Sequence, residues 1–170
     1  LGLQIIDIRN PQAPSLVGSY DHTGNMHVSA MGDYVYLLDN ADGLQVIDVS
    51  DRSNPTHVTG CETPGDQYSN LAVENGHAYV TEWNNGLQII GLSDPLNPVL
   101  QGSLDISDGA GDGFVQNSHA YILTGGENHA IQIVDVSDPN APISIGRYNT
   151  INWASDICVD SQYAYVAEGN

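Results

Sequence analysis

Short runs of apolar and β-branched residues alternate along this chain with clusters of Gly, Pro, Asn and Asp, and nowhere does a 3.6-residue helical spacing persist. One run recurs almost unchanged. Gly2-Leu3-Gln4-Ile5-Ile6-Asp7-Ile8 returns as Gly43-Leu44-Gln45-Val46-Ile47-Asp48-Val49, then as Gly86-Leu87-Gln88-Ile89-Ile90-Gly91-Leu92, and again as Ala130-Ile131-Gln132-Ile133-Val134-Asp135-Val136. A period of about 42 residues, built from short strands and turns, predicts one four-stranded propeller blade per repeat and little or no helix.

Each repeat divides into strands a to d. Strand a is short and small-residued: Met26–Ala30, Asn70–Val73, Asp112–Val115 and Asp156–Val159. Strand b carries alternating aromatic and β-branched residues, as in Tyr34–Leu38, His77–Thr81, His119–Leu123 and Tyr163–Ala167, and suits a position packed between neighbouring blades. Strand c is the recurring run. A turn with prolines such as Pro11, Pro55, Pro95 and Pro139 follows it, because proline cannot donate to a sheet ladder. Strand d then runs through Ser15–Tyr20, Val99–Leu104 and Ile143–Tyr148.

The fold class is therefore all-β, an array of four four-stranded propeller repeats of about 42 residues. Residues 1–170 form a single repeat domain with units beginning near Leu1, Asp42, Asn85 and His129. The chain opens on strand c and closes after strand b, so its first and last segments could complete one blade between them. The array is then either closed as four blades or part of a larger propeller.

Charge narrows the partners. Three arginines and no lysine face 21 acidic residues, a formal net charge of −18, which repels nucleic acid and anionic lipid. Cations, sugars and basic proteins remain as partners. Much of the Asp falls in turns, where its side chain bonds the nearby backbone. No apolar run approaches the length of a membrane helix, so no membrane insertion is expected, and no signal peptide is present in this stretch. Cys61 and Cys158 fall on different kinds of strand; they read as two small buried residues rather than a disulfide.

In a propeller the d-to-a and b-to-c loops share one face, and here these are the loops that vary. Tyr68, Trp83, His129 and Trp153 lie on or beside that face as ligand-contact candidates. Aligned on the strand-b tyrosine, His27, Asn70, Asp112 and Asp156 occupy one position at the entry of strand a, where they would rim a central channel and bind a cation or small polar ligand, or simply cap strand ends. Asp39, Glu82 and Glu168 align just after strand b, where turn formation accounts for them. The stretch from Asp105 to Gly113 is the densest in Asp and Gly; Asp105, Asp108 and Asp112 could contribute oxygens to calcium, although the spacing is not that of an EF-hand. His77 and His119 begin strand b on the far face as packing residues. No nucleophile with a base has a local signature; Asp112 with Asp156 is the nearest thing to an acid/base pair.

The Leu-Gln-Ile-Ile-Asp-Ile core, with Ser-Asp-Pro-x-x-Pro after it and x-Tyr-Val before it, resembles the LVIVD-repeat family of β-propellers over all four units. Gly91 replaces the motif Asp in the third unit and Ala130 its opening Gly in the fourth. The resemblance implies a bacterial or archaeal protein, exported or at the cell surface, and carries no catalytic residues or cofactor. The expected function is a non-catalytic binding or scaffold module that uses its variable loops on a protein or glycan. The rivals are a hydrolase or lyase with acids at the channel rim, and a structural spacer.

Overall fold

Strands form where the alternation places them. The computed structural model describes residues 2–24, 26–65 and 67–169, with Met26 described by its backbone. Leu1, where the first repeat unit begins, lies outside the described residues, as do Asn25, Asp66 and Asn170. The elements are β1 (Leu3–Asp7), β2 (Ser15–Tyr20), β3 (Met26–Met31), β4 (Tyr34–Asp39), β5 (Gly43–Asp48), β6 (Thr56–Cys61), β7 (Tyr68–Glu74), β8 (His77–Glu82), β9 (Gly86–Gly91), β10 (Val99–Leu104), β11 (Ala110–Gln116), β12 (His119–Thr124), β13 (Ala130–Asp135), β14 (Ile143–Asn149), β15 (Ala154–Val159) and β16 (Ala164–Glu168). There is no helix among the described residues.

Three antiparallel four-stranded sheets, β3–β6, β7–β10 and β11–β14, each run from strand a to strand d in chain order. The chain opens on strands c and d and ends on strands a and b, as the repeat pattern leads one to expect. β1 with β2 forms one half sheet, β15 with β16 another, and no seam pairs β1 with β16 among the described residues.

The c-to-d pairing carries the same irregularity in every unit. One residue of strand d is left unopposed: Val17, Val58, Gln101 and Ile145 each sit between paired neighbours as a bulge. After strand c, Asp7, Asp48 and Asp135 accept a hydrogen bond from the backbone N–H two residues on, at 2.9, 2.8 and 2.8 Å. In the proline turns Asp51, Asp94 and Asp138 do the same. Much of the acidity is therefore turn chemistry. Arg9, hydrogen-bonded to Asp7, holds its carboxyl down at about 2.

Successive sheets pack face to face. Along strand c adjacent residues serve opposite neighbours: Ile89 joins the cluster with Ala120, Ile122 and Val134 of the next sheet, while Ile90 joins Tyr36, Leu38 and Leu44 of the previous one. The first half sheet contributes Leu3, Ile5 and Tyr20 to a cluster with Val35, Leu37 and Ile47. The last contributes Ala154, Ile157 and Val166 to one with Leu123 and Ile131. Strands β3, β7, β11 and β15 lie side by side in succession, so the a strands form the inner row. Cys61 and Cys158 are both free. Cys61 is half-buried and Cys158 exposed, because the outer face of β15–β16 has no further sheet against it; the expectation that both are buried is corrected.

Candidate functional site

The d-to-a and b-to-c loops of each unit are stitched together. Trp83 donates its backbone N–H to the Gln67 carbonyl at 3.0 Å, Gly125 to Gly109 at 3.2 Å, Gly126 to Asp108 at 2.6 Å and Gly169 to Trp153 at 3.0 Å. The acids ending strand b strengthen this zip. Asp39 is buried and accepts from the backbone of Ala41 (2.5 Å) and Asp42 (3.2 Å) and from His22. Burial pushes its carboxyl up, but those hydrogen bonds outweigh it and leave the group below the usual Asp value. Glu82, fully buried, accepts from Asn85 at 2.9 Å on Oε1, while Oε2 has no partner among the described residues. Asn85 also donates to the Pro64 carbonyl at 2.8 Å, and Glu168 accepts from the Asn152 N–H at 3.1 Å. The fourth equivalent, Thr124, donates to the Asn128 carbonyl at 3.1 Å. These residues hold loops in place, as turn formation leads one to expect.

At the entries of strand a, His27 and Asp156 each come within electrostatic reach of Asp112. Burial pushes the Asp112 carboxyl up, and hydrogen-bonding contact with Asp156 adds to it; the Gly113 N–H, at 2.8 Å, and His27 pull the other way. Burial likewise pulls His27 down against the field of Asp112. Asn70, the fourth aligned residue, spends its side chain on backbone, donating to the Gly113 carbonyl at 2.5 Å and accepting from Leu71 at 2.7 Å. The row therefore holds a carboxyl pair with a histidine beside it, and an amide that ties two a strands together.

The two tryptophans meet at a second place on the same loops. A Cβ built on Gly109, which has φ +76°, would lie 2.9 to 3.1 Å from Cε2, Cδ2 and Cζ2 of Trp83, so this glycine backs against a face of the indole. A Cβ on Gly125 would collide with the far end of that ring and come within 3.2 Å of Trp153 Nε1. The indole of Trp83 is thus seated on two glycines while 37 % of the residue stays exposed, and Trp153 stands beside it, half exposed. In front lies an open cleft of about 540 Å³ lined by Trp83, Asn84, the loop from Asp105 to Gly109 and Gly126 to Asn128.

Electrostatics in the cleft are partly settled within the chain. Arg147 donates to Asp108 at 2.8 Å and to the Asn128 carbonyl at 2.7 Å. Asn84, Asp105, Ser107 and Glu127 make no side-chain hydrogen bond among the described residues, and no lysine or arginine lines the cleft.

Tyr68 is not a free contact residue: its hydroxyl lies 2.5 Å from Thr63 Oγ1 and donates to the Gly65 carbonyl at 3.2 Å, bracing the loop. His129 is half-buried outside the cleft lining, with Nδ1 unpartnered among the described residues. The calcium trio is split, since Asp108 is paired with Arg147 and Asp112 faces Asp156, leaving Asp105 alone in the cleft. Among the described residues the grouping of possible metal donors is instead His22, Asp39 and Asp42, where Asp39 is already engaged by three donors. His77 and His119 hydrogen-bond the carbonyls of Asn75 and Asn117 and tilt against Tyr79 and Tyr121, as packing residues do.

Sequence reasoning placed both tryptophans on one face but missed that Gly109 and Gly125 seat Trp83, and that Arg147 braces Asp108 and Asn128 of the cleft wall. The Gly125-Gly126 pair, present after strand b only in the third unit, was the readable signal.

A family model for the LVIVD repeat matches residues 1–22, 25–63, 65–108, 114–150 and 153–170, nearly the whole chain. Its three middle segments follow the sheets from strand a to strand d, and its first and last fall on the two half sheets. A comparison with curated proteins gives no match.

Proposed function

The chain belongs to the LVIVD-repeat family, and from that premise we propose that it is a non-catalytic binding module of an exported or cell-surface protein, its sheets acting as successive blades of a β-propeller. The blades supply rigidity, and the loops stitched over their edges present a fixed recognition surface. The observation that carries this reading is the Trp83 cleft. An indole backed by two glycines, with Asn84, Asp105, Ser107 and Glu127 unbonded around it among the described residues, offers an apolar platform ringed by orienting groups, an arrangement suited to a polar small molecule or glycan. A spacer has no need to keep both tryptophans together and partly exposed.

Of the two tryptophans Trp83 lines the cleft and Trp153 stands near its indole, so intrinsic fluorescence reports on the cleft and its immediate surroundings. Titrating the full chain with a panel of soluble oligosaccharides and peptides should shift or quench that emission for at least one class. A panel that leaves it unchanged, together with a Trp83→Ala, Trp153→Ala variant differing only in stability, would support the spacer reading instead.

The carboxyl pair at Asp112 and Asp156 sustains the hydrolase reading, but the arrangement argues against glycoside hydrolysis. Paired carboxyl groups in glycosidases stand about 5 Å or more apart to admit a sugar carbon or a water. Here Asp156 lies close enough to Asp112 to help burial push its carboxyl up, nearer than a sugar carbon or a water between them would allow.

A further inference from the structure

Resting on the binding-module reading, we propose that the Trp83 cleft is a subsite for an uncharged oligosaccharide, one pyranose ring stacking on the indole while its hydroxyls meet Asn84, Asp105, Ser107 and Glu127. The apolar face of a pyranose carries axial C–H groups that suit the negative face of an aromatic ring. Trp83 provides such a face at fixed orientation, because Gly109 and Gly125 hold the indole from behind. Orientation fixed in advance lowers the entropy lost when a ligand docks.

The polar rim selects the ligand's charge. Vicinal hydroxyls need neighbouring donors and acceptors, and an amide, a hydroxyl and two carboxylates stand around the platform with no side-chain bond to a neighbour among the described residues. Uronic and sialic acids would meet Asp105 and Glu127, and the guanidinium bonded to the cleft wall, that of Arg147, is already engaged by Asp108 and the Asn128 carbonyl. A basic peptide is the other partner that an acidic, aromatic cleft suggests, but the most enclosed carboxylate of the three, Asp108, already holds a guanidinium from Arg147 at 2.8 Å. The remaining two are exposed, where a charge pair contributes little. What the cleft has left is mostly hydroxyl-matching and stacking capacity.

The test is isothermal titration of the full chain with neutral glucan, mannan and chitin hexasaccharides, polygalacturonate and a Lys/Arg octapeptide, with tryptophan emission followed in parallel. At least one neutral glycan should bind and shift the emission, and polygalacturonate should not. Trp83→Ala should weaken that glycan at least about tenfold, the scale of losing one stacked ring. Trp83→Tyr, which keeps an aromatic face on the glycines, should retain part of the affinity. Asn84→Ala with Glu127→Gln, both on exposed side chains, should weaken binding without altering the melting temperature. If the octapeptide binds in a Trp83-dependent way and no neutral glycan does, the glycan assignment is overturned while the binding module stands. If no probe moves the emission, both are overturned.

Discussion

Asp112 shows how a repeated position acquires its own chemistry. Its carboxyl is held above the usual Asp value by burial and by Asp156, so the folded state retains a proton that the unfolded chain gives up near 3.8. The linkage sign follows. Folding is favoured by this group below the unfolded value, and the advantage is lost as pH rises through the folded one, so at neutral pH the pair opposes folding. Asp112→Asn keeps an oxygen for the Gly113 N–H and removes the charge. It should therefore raise the melting temperature at pH 7 and change it little at pH 3, as thermal unfolding at the two pH values would read. A variant no more stable at pH 7 than the parent would mean that neither burial nor Asp156 presses on this carboxyl. The alignment of His27, Asn70, Asp112 and Asp156 was legible because strand b indexes each repeat. Their unequal roles were not legible, since Asn70 and Asp156 follow the same bulge, with Ser69 and Ser155 skipped in their ladders, yet one meets the Gly113 carbonyl and the other Asp112, a choice made by neighbours in the adjacent unit.

Strand c was the most legible element, yet its motif residues do not contribute equally. Ile6, Ile47 and Ile90 are equivalent by repeat, and the last two are fully buried between sheets whereas Ile6 is 44 % exposed because nothing packs on that side of the first half sheet. Ile90→Ala should cost about 2 to 5 kcal/mol, the range for emptying a packed aliphatic site. Ile6→Ala should cost well under that, since half-exposed methyl groups leave no closed cavity. Urea unfolding of the two variants compares them directly, and equal losses would mean that Ile6 is covered in solution. The bulge in every strand d was out of reach of pattern reading. Val17, Val58, Gln101 and Ile145 look like ordinary members of an alternating strand, and only pairing with strand c reveals the extra residue.

At the scale of the whole molecule, charge is the dominant imbalance. A net −18 is met by three arginines, and among the described residues Arg9 and Arg147 each pair with a single carboxylate, the first at the exposed surface. Many remaining acids are committed to local turns, which place them by backbone geometry and not by attraction to a countercharge. Their mutual repulsion is thus a long-range term opposing the folded chain, and one that mobile ions screen once the Debye length falls below the spacing between charges. Raising sodium chloride from about 10 mM to 0.5 M shortens that length from about 30 Å to less than 8 Å. The melting temperature should accordingly climb steeply at first and then level off. Chloride salts of sodium, potassium and tetramethylammonium should act alike if screening is the cause. A rise specific to calcium at millimolar concentration would instead mean that carboxylates such as Asp105, standing free in the Trp83 cleft, gather a bound ion after all. The charge itself was plain in the sequence, but its consequence needed the fold, because only the fold shows that the acids are held by turns and that almost none is neutralised by a partner.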